Sequence, residues 1–195
     1  MKFKQWFNLV ESLNKDSALL VIDTQNDFID SKFAVPGAKE IIPKVNSLIS
    51  RARSQGIPVI FTAHGYGAKD PSTLQRPEDR RYCIIGTFGH GFHSDLDTKD
   101  SPIFDKKDFS GFGGKNRTKE TENLQSHLFK NNIKRVIVVG LSLDYCVAAT
   151  AIEARRKGFN AAVVLDASKG MYDYTKHDQV ISDLKNAGVE ILNTI

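Results

Sequence analysis

Cysteine is scarce in this 195-residue chain, which holds only Cys83 and Cys146. Two thiols so far apart exclude a disulfide-stapled scaffold and do not make a zinc knuckle by themselves. Such sparse cysteine fits the cytoplasm as the expected compartment. Long hydrophobic runs are missing too: Val136–Val139 is broken by Gly140, far short of the roughly 20 apolar residues a membrane helix needs. The opening residues Met1–Val10 mix Lys2, Lys4 and Gln5 with aromatics and contain no apolar h-region, so no signal peptide is expected. Charge of one sign is weak. Lys plus Arg number 27 and Asp plus Glu 23, leaving +4 with histidine neutral. The basic doublets, Arg80-Arg81 and Lys106-Lys107 among them, are scattered and lack interleaved aromatics, so neither nucleic acid nor a membrane is an expected partner. There are no repeats and no low-complexity tract.

What the chain has is a 41% hydrophobic content, enough for a substantial core at this length. Short apolar runs alternate with segments of helical period. Ala18–Ile22, Pro58–Phe61, Arg135–Val139, Ala161–Leu165 and Val189–Leu192 read as strands. Ile41, Val45, Leu48 and Ala52 recur at helical spacing until Gly56, and Leu124 and Leu128 mark a helix after Thr121, a candidate cap. Further helices are expected from about Tyr145 to Lys157, stopped by Gly158, and near Lys176 to Asn186. Strands apolar throughout are buried on both faces, the mark of a parallel sheet covered by helices. The expected fold is therefore α/β: a single doubly wound domain with a mostly parallel central sheet and helices on both faces. Residues 18–195 form its core. Residues 1–17 are read as an N-terminal amphipathic helix through Phe3, Trp6, Phe7 and Val10. The stretch from His64 to Asp105 is rich in Gly, Pro and charge and has little periodicity, and a loop that long is usually functional or disordered.

Ligands of open parallel sheets bind beyond the carboxyl ends of the strands, which directs attention to Asp23, the residues after Phe61, and Gly140–Cys146. Cys146 falls in the first turn of a helix, where free N–H groups and the helix dipole favour an anion. A thiolate there has a lowered pKa and becomes a nucleophile, and the same N–H groups suit an oxyanion. A buried cysteine acting as a small hydrophobe fits the position equally well. Asp144 beside it suits a helix cap. Asp23, directly after a buried strand, suits proton transfer; Asp27 competes for that role, and the segment Asp23–Asp27 is also rich in turn formers. Lys106 is either a surface lysine or, placed beside Cys146, a group that holds the thiolate.

Val21-Ile22-Asp23-Thr24-Gln25-Asn26-Asp27-Phe28, followed by Val35-Pro36-Gly37-Ala38 and Ile41-Ile42-Pro43, resembles the opening of nicotinamidases. Gly140-Leu141-Ser142-Leu143-Asp144-Tyr145-Cys146-Val147 is similar to their nucleophile segment. Cys83–Gly89 resembles a loop of the wider isochorismatase-like cysteine hydrolases, and Phe104-Asp105-Lys106 their lysine segment. The resemblance covers roughly residues 18–168, in order. It implies a triad of Asp23, Lys106 and Cys146 that cleaves the C–N bond of a small amide through a thioester. It also implies a cis peptide at Leu141–Ser142, with Ser142 and Cys146 as oxyanion donors. Phe28 is implied to pack on the substrate ring, with Gln25 and Tyr145 also assigned to substrate binding.

The departures concern metal and ring specificity. Where nicotinamidases carry an Asp-x-His pair and a further histidine, this chain has Thr62-Ala63-His64 and Tyr82. One histidine does not make a zinc site; His90 and His93 are read as loop or surface residues, and the family's substrate-stacking tryptophan is missing. No cofactor and no metal ligand set is therefore expected, although a divalent metal near His64 stays open. The expected partners are a small-molecule amide and, as in the family, further copies of the chain. Nicotinamide is the first substrate candidate. The alternatives are another small amide or carbamoyl compound, a non-catalytic binding protein on the same fold, and a redox role pairing Cys146 with Cys83.

Overall fold

The computed structural model describes residues 13–78, 81–171 and 174–193, with side chains for all of these except 174–176. The expected N-terminal helix lies almost wholly outside the described residues; Leu13 is buried and a turn at residues 15–16 leads into the first strand. Seven strands form one sheet: β1 (Ser17–Ile22), β2 (Val59–His64), β3 (Ile103–Lys106), β4 (Lys115–Asn116), β5 (Arg135–Leu141), β6 (Asn160–Lys169) and β7 (Glu190–Leu192). Their order is β4-β3-β2-β1-β5-β6-β7, parallel throughout except for β4, which runs antiparallel to β3. The longer helices are α2 (Ile42–Ser54), α4 (Leu124–Lys130), α5 (Ala148–Arg156) and α6 (Tyr174–Asn186), with single turns α1 (Asn26–Ile29) and α3 (Pro71–Leu74) in the loops. No helix among the described residues is long and apolar enough to cross a membrane.

The apolar runs dictate this arrangement. Successive side chains of a strand point to opposite faces, so Leu19 and Val21 of β1 enter one hydrophobic layer and Ala18, Leu20 and Ile22 the other. The first layer is closed by α2, whose Ile42, Val45, Leu48, Ile49 and Ala52 are all buried at helical spacing. The second is closed by α4 and α5 through Leu124, Leu128, Ala151 and Ala154. Helix α2 ends before Gly56, whose φ of 68° suits a left-handed stop.

Some boundaries differ from expectation. The cap of α4 is Asn123, whose side chain accepts from Ser126 N at 2.9 Å, and not Thr121. The helix expected from Tyr145 begins instead with one π-helical turn, Leu143–Val147, before α5. Asp144 caps nothing; its carboxylate accepts from Met171 N at 2.9 Å. Strand β3 was not legible at all, because four residues of alternating burial carry too little apolar signal. Strand β2 runs on through Thr62, Ala63 and His64, all buried although two of them are polar.

Chain order turns in opposite directions from β1, toward β2 on one side and β5 on the other. The crevice at their carboxyl ends is where such a sheet receives a ligand. The backbones are unusually close there. Gly140 pairs with Ile22 at φ 114°, and a Cβ at this glycine would lie 2.3 Å from the Ile22 carbonyl oxygen.

Candidate active site

Four strand ends supply the site. Asp23 follows β1, with φ 46°, and is fully buried. Thr62 and His64 close β2, Lys106 closes β3, and Cys146 lies in the turn after β5. Register does the assembling: Thr62 pairs with Ile22, and His64 with Lys106. The Lys106 ammonium sits 2.6 Å from Asp23 Oδ2 and 3.4 Å from Cys146 Sγ, and donates to the Asp108 carbonyl at 3.0 Å. Thr62 Oγ1 donates to the other carboxylate oxygen, Asp23 Oδ1, at 2.6 Å. The three expected catalytic residues thus form one contact chain. Asp27 does not join it; its carboxylate accepts from Cys83 N at 2.6 Å and ties the central loop to α1.

The electrostatics correct one expectation. Burial, and next the Asp23 carboxylate, push the Cys146 thiol well above its ordinary pKa, and Lys106 only partly opposes this. A helix-start position therefore does not lower it, because loss of water outweighs the dipole in so closed a place. Burial alone would lower the Lys106 pKa, but the Asp23 carboxylate beside it outweighs the burial and holds the ammonium protonated. Cys146 thus rests as a thiol beside the Lys106–Asp23 ion pair. Cys83 is also buried, with its thiol raised by burial and by Asp27, and both cysteines are free.

A cavity of about 420 Å³ opens over Cys146. Aromatic rings make most of its wall: Phe28, Phe33, Tyr82, Phe109 and Tyr145, together with the His64 imidazole. Phe28 and Tyr82 lie 5.7 Å apart, Tyr82 stacks on His64 at 5.8 Å and 25°, and Phe109 meets Tyr145 at 5.3 Å. Ser142 reaches the floor, after a cis peptide at Leu141–Ser142 where one was expected. Phe28 and Tyr145 are thus at the cavity and Gln25 is not. The Gln25 amide donates to the carbonyls of His64 and His90 at 2.9 and 2.8 Å and accepts from His64 N at 2.8 Å, so it clamps the end of β2 from behind. Sequence reasoning missed Thr62 as the partner of Asp23, and Phe33 and Lys32 as parts of the wall. Period-two counting along β2 would have flagged Thr62 and His64 as same-face neighbours; nothing local marked Phe33 or Lys32.

Over residues 17–195 the sequence matches the model of the isochorismatase domain. The chain belongs to the isochorismatase family. Among its relatives, a nicotinamidase of Acinetobacter baylyi is 31% identical over 175 residues, 79% of this chain and 81% of that one. A probable inactive nicotinamidase of Arabidopsis thaliana is 30% identical over 187 residues, covering 90% and 91%. Pyrazinamidase of Pyrococcus horikoshii, solved in complex with zinc, superposes with a TM-score of 0.78 at 29% identity over 91% of this chain and 99% of that one. The seven-strand α/β architecture is that of the isochorismatase-like fold.

That zinc complex raises the question of a metal in this family member. Among the described residues one group brings three ligand types together: Asp23, His64 and Cys146, with ligand atoms within 4.8 Å of one another. His64 is therefore not isolated, as the sequence suggested. The donor set nevertheless does not fit a zinc ion. Two of its members are already in contact with the Lys106 ammonium, a cation that a metal would have to face, and Thr62 and Tyr82 stand where further ligands were sought. His93, read from sequence as a loop or surface residue, is buried and pairs with Asp30 at 2.9 Å. Burial and the Lys106 charge lower the His64 pKa to about 4, leaving its imidazole neutral near pH 7.

Proposed function

We propose that this protein is a cysteine-dependent amidohydrolase that works without a metal and converts a flat aromatic carboxamide, nicotinamide first among them, to the acid and ammonia. A hydrolase acting on carbon–nitrogen amide bonds is the class of enzyme to which the chain belongs. The observation that carries the cysteine mechanism is the contact chain Asp23–Lys106–Cys146, whose Cys146 end opens into an aromatic cavity.

Cys146 transfers its proton to Asp23 as sulfur attacks the amide carbon, and the oxyanion turns toward the N–H groups of Ser142 and Cys146. The C–N bond breaks as Asp23 passes the proton to the departing nitrogen, releasing ammonia and leaving a thioester. A raised thiol pKa suits this sequence, since the proton moves only when substrate is in place and the base is adjacent. Lys106 stabilises whichever partner carries the negative charge. Water then cleaves the thioester with Asp23 as base. Phe28, Tyr82 and Tyr145 offer the faces on which a planar ring packs. The substrate is the small-molecule partner, and a cytoplasmic homo-oligomer is the form in which the enzyme is expected to work.

The test is ammonia release from nicotinamide and a panel of small amides and carbamoyl compounds, with and without chelator, beside Cys146→Ala. Release that needs Cys146 and survives chelation supports the reading; release abolished by chelation overturns the metal-free part. Binding without turnover is the second reading, favoured by the similarity to a probable inactive nicotinamidase. Tight ligand binding with neither ammonia nor a thioester at Cys146 would establish it.

A further inference from the structure

His64 is a buried polar side chain that the triad leaves unused. It is 2% exposed and lines the cavity over Cys146. Its backbone is clamped at both ends by the Gln25 amide, and its ring is held by Tyr66 at 4.8 Å edge-on, Tyr82 at 5.8 Å and Phe28 at 6.3 Å. None of these neighbours satisfies it. Neither Nδ1 nor Nε2 has a hydrogen-bond partner among the described residues, whereas buried polar atoms in folded proteins almost always have one. A ring nitrogen lies within 4.8 Å of both an Asp23 oxygen and Cys146 Sγ. It bonds directly to neither. One oxygen atom at hydrogen-bond distance, about 2.8 Å, from both the imidazole nitrogen and the carboxylate would bridge them.

We infer that His64 holds the water that hydrolyses the acyl-enzyme. The inference rests on the cysteine–thioester reading above. A metal does not fit this position, and a neutral imidazole offers one donor and one acceptor, the complement of a water that must present a lone pair to carbon and a proton to a base. The place vacated by the departing amine is the place the water enters, beside both Asp23 and the acyl sulfur. In the step itself the water oxygen bonds to the thioester carbon and its proton goes to Asp23. The C–S bond breaks, and sulfur takes the proton back from Asp23 as the free acid leaves. His64 gains and loses no proton; it is a positioning residue, and only the second half-reaction needs it.

Acyl transfer from p-nitrophenyl acetate separates the halves, because p-nitrophenolate reports acylation and the acetyl-enzyme seen by intact-mass spectrometry reports the balance with deacylation. In His64→Phe, acylation is expected within about threefold of wild type. Steady turnover is expected to fall at least about tenfold, within the range that positioned groups supply to proton-transfer steps. The acetyl-enzyme then accumulates, and hydroxylamine, a stronger nucleophile than water, restores release. His64→Gln, which keeps a polar group at the same depth, recovers part of the loss and serves alone should the phenylalanine variant not fold. Equal loss of both halves in both variants, unchanged turnover, or a changed KM with normal deacylation would each overturn the inference. Absence of any Cys146-dependent acylation in the wild type would instead bring down the cysteine reading itself, a result visible before any His64 variant is made.

Discussion

The floor and the walls of the cavity are built by different means. The floor is Cys146, in the turn after β5, and beneath it lie strand ends: Asp23 just past β1, Thr62 in β2 and Lys106 in β3, brought together by sheet register and linked by contacts of 2.6 to 3.4 Å. The walls come largely from loops and single turns, where Phe28 and Phe33 each meet Tyr82, and Phe109 meets Tyr145, ring to ring at spacings above 5 Å. Errors in the floor propagate into the core, because its residues lie in or directly after strands of the buried sheet. The walls can be changed while the sheet stays intact. On the proposed mechanism, chemistry is thereby tied to fold stability, and substrate choice is largely released from it.

The most severe break of this division is Asp23→Asn. It removes the proposed proton carrier, and turnover should fall by about 10³-fold. It also leaves the Lys106 ammonium buried without its counter-charge, which costs about 3 kcal/mol or more. Ammonia release and urea denaturation measure the two losses. Gly140→Ala strikes the same floor without touching a reacting group. Its Cβ would meet the Ile22 carbonyl, and the φ of 114° disfavours any side chain. The expected outcome is a protein several kcal/mol less stable, or one recovered only as aggregate.

His64 belongs to both regions, and its titration sharpens the contrast. Its folded pKa of about 4 lies below the ordinary 6.5. The unfolded chain therefore binds the proton first as pH falls, and stability is lost progressively from about pH 6.5 to 4, then levels off. The full span corresponds to about 3 kcal/mol. His64→Gln should flatten that part of the stability–pH curve relative to wild type, as read by denaturation at several pH values.

Thr62→Val keeps the shape of β2 and deletes the hydroxyl that donates to Asp23 Oδ1 at 2.6 Å and accepts from Asp23 N at 3.3 Å. About 1 to 2 kcal/mol of stability and roughly tenfold in kcat are expected to go, with KM little changed. Tyr82→Leu is the smallest change and the cleanest test of the walls. KM for an aromatic amide should rise by up to about tenfold, while kcat and the melting temperature stay near wild type. A loss of stability matching that of the floor variants would refute the division.

Much of the fold follows from the sequence alone. Ala18–Ile22 and Val136–Val139 are apolar without alternation, and a strand with no polar face has to be covered on both sides, which leaves a helix-sheathed parallel sheet. Asp23 and Cys146 could be singled out because each directly follows such a run. Lys106 could not be placed by pattern, since β3 is too short and too mixed to announce itself; only the family resemblance pointed to it. The helix-start argument for an acidic thiol failed at Cys146, because its pKa depends on which charges and how much water surround it. Gln25 lies two residues from Asp23 in sequence yet does not line the cavity. Apolar runs and turn residues are local signals that a chain carries in its own order. Register between β2 and β3, the enclosure of Cys146, the meeting of Phe28 with Tyr82 and the unsatisfied nitrogens of His64 are relations between distant segments, and only the packed tertiary structure decides them.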